Sequence, residues 1–162
     1  MDDGQAGVDT TLFREVCGQY ATGVAVISVA GENGQLAGVT VNSFSSVSLE
    51  PPLVQFSLDR KASVFPLFQD CGYFAVNVLS RKQQSVSNMF AVRSDGFDEL
   101  PYTAGVGGCP VLDDCVANIE CEKFSVYDGG DHIIILGKVM RLKCAPTIDP
   151  LLFFRGTYGT FS

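Results

Sequence analysis

The sequence is short of positive charge and of histidine. It has 11 Lys and Arg residues against 18 Asp and Glu residues, a net charge of −7 at pH 7, and His132 is its only histidine. A general nucleic-acid binder, or a protein held on an anionic membrane, carries the opposite sign, so we expect neither partner. An anionic ligand would need a local cluster of Lys, Arg or backbone N–H groups, and any imidazole chemistry must use His132.

Long apolar runs and two common catalytic motifs are also missing. No apolar stretch approaches the roughly 20 residues that cross a bilayer, so we expect no membrane span. Gly105-Val106-Gly107-Gly108 lies in a predicted loop with no helix after it, and no GxGxxG follows a predicted strand. This disfavours a Rossmann dinucleotide domain. A Ser-His-Asp hydrolase lacks support, because the chain has no GxSxG elbow.

The cysteines form no CxxC pair. The six are Cys17, Cys71, Cys109, Cys115, Cys121 and Cys144. The N-terminus has no basic region followed by an apolar run, so we expect a cytoplasmic protein whose reduced thiols fill small core sites. Cys109, Cys115 and Cys121 recur every six residues, with the last two on one face of a predicted strand. A metal site there is the less favoured alternative, because only one histidine could assist.

Length and composition predict one domain. The 162 residues fall within the range of a single domain. Residues 1–9 are rich in Gly and Asp and are predicted to be a disordered N-terminus, which leaves residues 10–162 as the domain. Hydrophobic residues make up 46% of the chain and the mean hydropathy is +0.22. This apolar excess favours burial between the subunits of an oligomer.

Hydrophobic periodicity predicts a mainly β fold. Residues 12–20 have helical spacing and predict an amphipathic helix packed on the sheet, with Thr10 or Thr11 as N-cap and Gly23 as the stop. The predicted strands are 24–30 and 35–41, joined by a turn, then 53–58, 73–79, 116–126, 132–143 and a C-terminal strand within 151–158. Helical segments are predicted at 62–69 and 80–92, and a long excursion at 93–114. Hairpin spacing with only short helices predicts a closed antiparallel β-barrel.

The segment Gly38–Pro52, GVTVNSFSSVSLEPP, concentrates short polar side chains. Its Thr, Asn and Ser residues surround Val41, Phe44 and Val47, and two prolines end it by fixing φ. Such a segment offers many short donors without bulk, which suits a flat polar ring such as a flavin. The alternative is an ordinary Ser-rich surface loop, since these residues are common in loops.

Asp59-Arg60-Lys61-Ala62-Ser63 follows the third strand and opens a predicted helix with Ser63 as N-cap. Two cations, the helix dipole and free N–H groups together can bind a phosphate. The alternative is a solvated charged turn with an ordinary N-cap. Arg81-Lys82, after the fourth strand, is a weaker candidate of the same kind. His132 follows a Gly-Gly turn at a strand mouth, where it either faces a ligand or is simply structural.

Together these segments resemble the short-chain flavin reductase family, whose members include the reductase components of two-component flavin-dependent monooxygenases. The matching segments run in order along nearly the whole chain: Phe13…Tyr20-Ala21-Thr22-Gly23-Val24, then Gly38 to Val54, Phe74-Ala75-Val76-Asn77-Val78-Leu79, Gly130-Asp131-His132 and Leu151 to Tyr158. The N-S-F…S-V-S…P-P segment and the Gly-Asp-His turn are specific in combination. The resemblance implies an FMN-binding split β-barrel.

The resemblance also implies a set of site residues. Those that would line the flavin ring and ribityl chain are Thr40, Val41, Asn42, Ser43, Ser46 and Val47. Those that would hold its phosphate are Arg60, Lys61 and Ser63, with Phe90 near the far end of the cofactor. His132 would position the nicotinamide as the catalytic residue, and Arg155 and Tyr158 would also meet the nicotinamide nucleotide.

The implied activity is hydride transfer from NADH or NADPH to FMN or FAD. The resemblance further implies a homodimer with the flavin site near its interface, and a partner monooxygenase that receives the reduced flavin. The alternative on the same barrel is a flavin-binding storage or sensor protein without reductase turnover. A third interpretation is a β-barrel interaction domain that binds no ligand.

Overall fold

A computed structural model describes residues 7–161. The strands are β1 Thr22–Gly23, β2 Ala25–Ala30, β3 Leu36–Val41, β4 Ser45–Leu49, β5 Pro52–Asp59, β6 Tyr73–Val78, β7 Tyr102–Ala104, β8 Pro110–Leu112, β9 Ala117–Gly129, β10 His132–Cys144, β11 Leu151–Phe154 and β12 Thr157–Thr160. The α-helices are α1 Thr10–Cys17, α2 Phe65–Asp70 and α3 Gln84–Val92, and short 3-10 turns lie at Arg81–Gln83, Phe97–Glu99 and Val106–Gly108. Within this range no helix has both the length and the apolar character needed to cross a membrane.

Seven antiparallel strands form the main sheet, in the order β3-β2-β6-β9-β10-β5-β4. The predicted mainly β fold is confirmed. The prediction of a closed barrel is not, because β3 and β4 are the two edges of this sheet. A side chain spans part of the gap: the backbone N–H of Ser57 in β5 donates to Ser43 Oγ, just beyond β3, at 2.9 Å.

The main core lies on the inner face of the sheet, where β-branched and aromatic residues alternate with polar ones. Phe56 packs edge to face on Phe68 and Phe74, with ring centroids 5.6 and 5.2 Å apart. Gly137 interrupts the apolar pattern of β10 because a Cβ there would collide with the Phe74 ring and with Cys121. The glycine therefore leaves room for the Phe74 ring and the Cys121 side chain from the two neighbouring strands β6 and β9.

A second core joins the main sheet to the C-terminal hairpin. Its buried side chains include Val26, Phe90, Phe97, Leu112 and Leu151. The hairpin β11–β12 pairs with β1 in a separate three-stranded sheet. This packing brings the end of the chain beside the start of β2 and the end of β3.

The predicted excursion at 93–114 folds into two 3-10 turns and the short hairpin β7–β8. Buried polar side chains hold it on the sheet. Asn77 Oδ1 accepts hydrogen bonds from the Leu112 N–H and from Asn118 Nδ2, both at 2.9 Å. The Ser28 hydroxyl donates to the carbonyl of Pro110 at 2.5 Å.

The N-terminal helix differs from its prediction. Asp9 is the N-cap of α1, through a 2.8 Å hydrogen bond from the Thr11 N–H to its carboxylate, and the helix ends at Cys17 instead of reaching Gly23. None of its residues is buried, so the prediction that it packs on the sheet is wrong. Residues 1–9 were predicted to be disordered. Residues 1–6 lie outside the described residues, and residues 7–9 include Asp9, the N-cap of α1.

Three further local predictions are corrected. Ser63 is not a helix N-cap, because α2 begins only after Val64. Part of the predicted Ser-rich loop is the edge strand β4, and a bulge lies between Ser46 and Ser48. Cys115 precedes β9 instead of sharing a strand face with Cys121, and the two lie in different core clusters. Four cysteines are buried as predicted, whereas Cys17 and Cys144 are exposed.

Candidate functional site

Asn42 lies where three surface cavities meet, directly after the end of β3. It lines a cavity of about 210 Å³ with Thr40 and Tyr158. It also lines one of about 60 Å³ with Thr22 and one of about 420 Å³ with Arg155. We call the group formed by Thr22, Thr40, Val41, Asn42 and Tyr158 the Asn42 corner. Three concavities that share one exposed amide form a groove that can accept an extended polar ligand.

The hydroxyl of Thr22 is a buried oxygen that has no hydrogen-bond partner among residues 7–161. Thr22 lies on β1, where it pairs with Phe153, and its cavity wall includes Val41 and Asn42. Leaving a buried hydroxyl unpaired costs about 1–3 kcal/mol. Thr22 and Asn42 line the same cavity, so a ligand bound there would lie beside this hydroxyl, and the polar residues around it fit a ring with hydrogen-bonding edges.

Ser87 organises the opposite wall of the 210 Å³ cavity. Its carbonyl accepts a hydrogen bond from the Thr40 hydroxyl at 2.7 Å, and its hydroxyl lies 2.8 Å from the Tyr158 hydroxyl. Ser87 is fully buried on α3. The hydroxyl hydrogen of Thr40 is therefore used within the protein, and the hydroxyl of Tyr158 is held against Ser87 in the same wall.

Arg155 joins the C-terminal hairpin to the end of α1. It occupies the β11–β12 turn with φ of 51°, and its backbone N–H donates to the carbonyl of Gly18 at 3.0 Å. Its Nε donates to Gln19 Oε1 at 2.9 Å, and its guanidinium lies 4.7 Å from the centroid of the Phe154 ring. The side chain is thus held at the edge of the 420 Å³ cavity.

Ser43 connects the Asn42 corner to β5. Its hydroxyl accepts from the Ser57 N–H at 2.9 Å and donates to the Ser57 carbonyl at 3.3 Å. Two residues later, Asp59 pairs with His132 across the β5–β10 ladder. Ser46 and Val47 are exposed on the edge strand β4. The polar segment therefore runs from the Asn42 groove toward the strand that leads to Arg60.

Arg60 donates hydrogen bonds to the turn that precedes His132. Its backbone N–H donates to the carbonyl of Asp131 at 3.0 Å, and its Nε donates to the carbonyl of Gly130 at 2.9 Å. Its Nη2 donates to the carboxylate of Asp128 at 2.5 Å. We call Arg60, Lys61 and residues 128–132 the His132 corner.

Asp131 holds the imidazole at this corner. His132 Nδ1 lies 2.7 Å from Asp131 Oδ1, and the side chain of His132 is partly exposed at the first position of β10. The hydrogen bond to His132 lowers the pKa of Asp131 below its ordinary value, with a smaller contribution from the charge of Lys61. Lys61 is exposed, and the described residues offer it no ion-pair partner.

Seven of the predicted site residues therefore fall into two corners: Thr40, Val41, Asn42 and Tyr158 in the first, and Arg60, Lys61 and His132 in the second. Ser43 lies between the two corners. No hydrogen bond among residues 7–161 joins His132 to Arg155 or Tyr158, which the sequence placed on the same nucleotide. Ser63 is exposed beyond the His132 corner. Phe90 is 2% exposed and packs on Phe97 and against Gly38. It is a core residue beneath Gly38 of β3 and offers almost no surface to a ligand.

Sequence reasoning missed two residues of these corners, Thr22 and Asp128, and also Ser87 in the wall of the 210 Å³ cavity. Thr22 stood within a matching segment but had no assigned role, Ser87 was part of a predicted helix, and Asp128 was part of a predicted turn. Ser87 bonds Thr40, which is 47 positions away in the sequence, and Tyr158, which is 71 positions away. Asp128 bonds Arg60, which is 68 positions away. No local pattern in the sequence signals such contacts.

Comparison with known proteins identifies the family. Residues 17–162 match the model of the flavin reductase like domain. The FMN reductase (NADH) SmoA of Agrobacterium fabrum is 39% identical over 96% of this chain and 88% of its own length. The reductase subunit HsaB of a flavin-dependent monooxygenase of Rhodococcus jostii is 39% identical over 93% and 77%, respectively.

A solved structure agrees over the same extent. The NADH:FAD oxidoreductase SgcE6 of Streptomyces globisporus, in complex with NAD and FAD fragments, superposes with a TM-score of 0.88 at 35% identity, covering 95% of this chain and 93% of that one. The similarity spans both corners and every strand between them. The chain belongs to the family of the flavin reductase like domain.

Proposed function

We propose that this protein is an NAD(P)H-dependent flavin reductase that passes a hydride from NADH or NADPH to FMN or FAD. The observation that carries the proposal is the groove at Asn42, with the unpartnered Thr22 hydroxyl in its wall and a cationic corner reached through Ser43. The names of the family relatives, which are NADH-dependent FMN and FAD reductases, support it. Together they favour a flavin whose ring lies at Asn42 and whose phosphate lies toward Lys61.

The protein's contribution is to bind and orient, because the flavin and the nicotinamide themselves supply the hydride chemistry. Asn42 and Thr22 would bond the polar edge of the flavin ring, Val41 would contact its face, and Lys61 would attract the phosphate. Asp131 accepts the Nδ1 hydrogen of His132, which leaves Nε2 available for the carboxamide of the nicotinamide. His132 then acts as a positioning group and need not exchange a proton.

The test is an anaerobic titration. Catalytic amounts of protein are mixed with NADH and an excess of FMN or FAD, and flavin reduction is followed as loss of absorbance near about 450 nm. Multiple turnovers support the reductase. Flavin binding, seen as a change of flavin fluorescence, without NADH-dependent bleaching would instead support the storage or sensor protein. Absence of any flavin binding would leave only the interaction domain.

We further propose that the reduced flavin leaves for a partner monooxygenase, as the name of the relative HsaB suggests. The groove at Asn42 is open to solvent, which suits an exchangeable flavin. The protein, NADH and FMN can be placed on one side of a dialysis membrane and cytochrome c on the other, without oxygen. Reduction of the cytochrome requires that reduced flavin diffuses away, and its absence would contradict release.

We also propose a homodimer whose interface lies beside the flavin groove. The apolar face of α1 is uncovered, with Leu12, Phe13 and Val16 exposed by 55, 59 and 61%. Phe13 shares the 420 Å³ cavity with Asn42. Light scattering should give the mass of two chains, and Val16→Glu should give one. Val92→Glu, which replaces an even more exposed valine at the end of α3 (86% against 61% for Val16), should leave the mass unchanged.

We also propose a single domain, a split-barrel fold and a cytoplasmic location, each on a separate observation. The match of residues 17–162 to one family model favours residues 10–162 as a single domain. The approach of the segment after β3 to β5 favours the split barrel of the family. Six cysteines without a disulfide suit a reducing compartment such as the cytoplasm.

A further inference from the structure

We infer that Arg60 is a positioning residue that holds the His132 turn, and that it does not serve as the ligand of the flavin phosphate. The inference rests on the proposed function for the identity of the two ligands. Its structural basis is the set of three donors that Arg60 directs at residues 128–131.

The turn occupies the Nε–Nη2 edge of the Arg60 guanidinium and so uses two of its five N–H donors. Nε donates to the Gly130 carbonyl at 2.9 Å, and Nη2 donates to the Asp128 carboxylate at 2.5 Å. A phosphate bound by the same fork would compete with a carboxylate that already neutralises it. Lys61 is a neighbouring exposed cation that has no such carboxylate partner among the described residues. Lys61 is therefore the residue that binds the phosphate.

The turn needs such a restraint. Gly130 has φ of 77° and Asp131 is exposed, so the residues that precede His132 have little packing of their own. Arg60 follows β5, which is paired with β10 from Asp59 and His132 onward. Its contacts therefore transfer the rigidity of the sheet to the turn that carries Asp131 and orients the imidazole.

Two kinds of variant separate a positioning role from a phosphate-binding role. Arg60→Ala and Asp128→Ala each break the contact from one side. Loss of a hydrogen bond of this kind should raise the KM for NADH by about fivefold in Arg60→Ala, with a smaller rise in Asp128→Ala. In both, kcat and the ratio of FMN to riboflavin affinity should stay within about twofold, because riboflavin differs from FMN only by the phosphate.

The double variant and the conservative variant sharpen the result. Arg60→Ala/Asp128→Ala should be no worse than Arg60→Ala, since the two residues act through one contact. Arg60→Lys keeps the charge but cannot reach Gly130 and Asp128 together, so its KM for NADH should stay close to that of Arg60→Ala.

Lys61→Ala should weaken FMN binding more than riboflavin binding. Arg93→Ala is the matched control: its side chain is 41% exposed against 42% for Arg60, and it also bonds a carboxylate at 2.5 Å.

A second readout does not need catalysis. His132 is the only histidine, so its imidazole proton signal is unambiguous in an NMR spectrum. In Arg60→Ala and Asp128→Ala this signal should move toward the position of an unrestrained imidazole, and in Arg93→Ala it should not. An unchanged signal in both variants, or a selective loss of FMN affinity in Arg60→Ala, would overturn the positioning role. If the wild type shows no NADH-dependent flavin reduction, the proposed function fails, and the histidine signal still decides whether Arg60 holds the turn.

Discussion

The hydroxyl of Tyr158 lies 2.8 Å from the hydroxyl of Ser87, and the Ser87 carbonyl accepts the hydroxyl hydrogen of Thr40 at 2.7 Å. One buried serine on α3 thus connects the C-terminal hairpin to the end of β3. The wall of the Asn42 groove is assembled from three distant segments of the chain through this residue.

Replacing Tyr158 by Phe tests whether that hydroxyl supports the wall. Ser87 is fully buried, so the change should lower the free energy of unfolding by about 1–3 kcal/mol, with the KM for NADH changed by less than about twofold. Urea unfolding and steady-state kinetics measure the two effects. The double variant Ser87→Ala/Tyr158→Phe should be less destabilised than the sum of the single changes. A large KM effect without loss of stability would instead assign the hydroxyl to the nucleotide.

Thr22→Val removes the hydroxyl that lacks a partner in the protein. Because the change removes a buried hydroxyl that is unpaired within residues 7–161 and breaks no hydrogen bond there, the free energy of unfolding of the flavin-free protein should rise by about 1–3 kcal/mol. Flavin affinity should fall by about two- to tenfold if the hydroxyl bonds the ring. Fluorescence titration with riboflavin gives the affinity. Thr103→Val, at an exposed position of β7, should affect neither quantity, and unchanged affinity in Thr22→Val would remove Thr22 from the site.

The decrease in the free energy of unfolding at alkaline pH tests whether the thiols are buried in the core. Burial raises the pKa of Cys109 and Cys115 to about 11 and that of Cys121 to about 12 from an ordinary 9.0. The unfolded chain therefore releases these protons first, so the contribution of these thiols to the free energy of unfolding should be constant below pH 9 and fall between pH 9 and 11. Each thiol contributes about 1.4 kcal/mol per pH unit within that window.

Urea unfolding at a series of pH values measures that slope, and Cys109→Ala should make it shallower. Thiol labelling supplies an independent check. In the native protein at pH 8 only Cys17 and Cys144, which are exposed, should react quickly, and the other four thiols should react after unfolding. Rapid reaction of more than two thiols would show that the core opens more easily than this packing implies.

Much of the sheet could be predicted because its signals are local. The hairpin of β2 and β3 has a turn of Gly and Asn between β-branched strands, and β10 follows a Gly-Gly turn. The pattern of α1 was equally clear, but an apolar stripe does not say what covers it. The N-cap was misassigned because Asp9, Thr10 and Thr11 are all good capping residues in consecutive positions.

Only part of the site was predictable, because local sequence signals do not show which distant residues the fold brings together. Asn42 and Ser43 stood out by composition, and their position beside a groove is what the structure supports. Arg60 was recognised as a cation after a strand, but its partner Asp128 lies 68 residues away. Charge and position predicted a phosphate contact, whereas the fold brings a carboxylate of the β9–β10 hairpin to the same guanidinium.

Asn77 gives the sharpest test of how the excursion at 93–114 is held on the sheet. Its Nδ2 donates to the Val26 carbonyl at 3.0 Å, and its Oδ1 accepts from the Leu112 N–H and from Asn118 Nδ2. Asn77→Leu keeps the number and branching of the side-chain heavy atoms but leaves these buried groups unpaired, so the free energy of unfolding should fall by about 2–4 kcal/mol.

Urea unfolding of Asn77→Leu should be compared with Asn88→Leu, which alters an exposed amide on α3 and should change stability by less than about 0.5 kcal/mol. Leu112 packs in the same core as Phe90, and Phe90 lies below Gly38 at the start of the polar segment. The folded fraction of Asn77→Leu should nevertheless bind flavin normally, because none of the network residues lines the Asn42 groove. A stability loss under about 1 kcal/mol would mean that the network contributes little, and that apolar packing alone holds β8 in place.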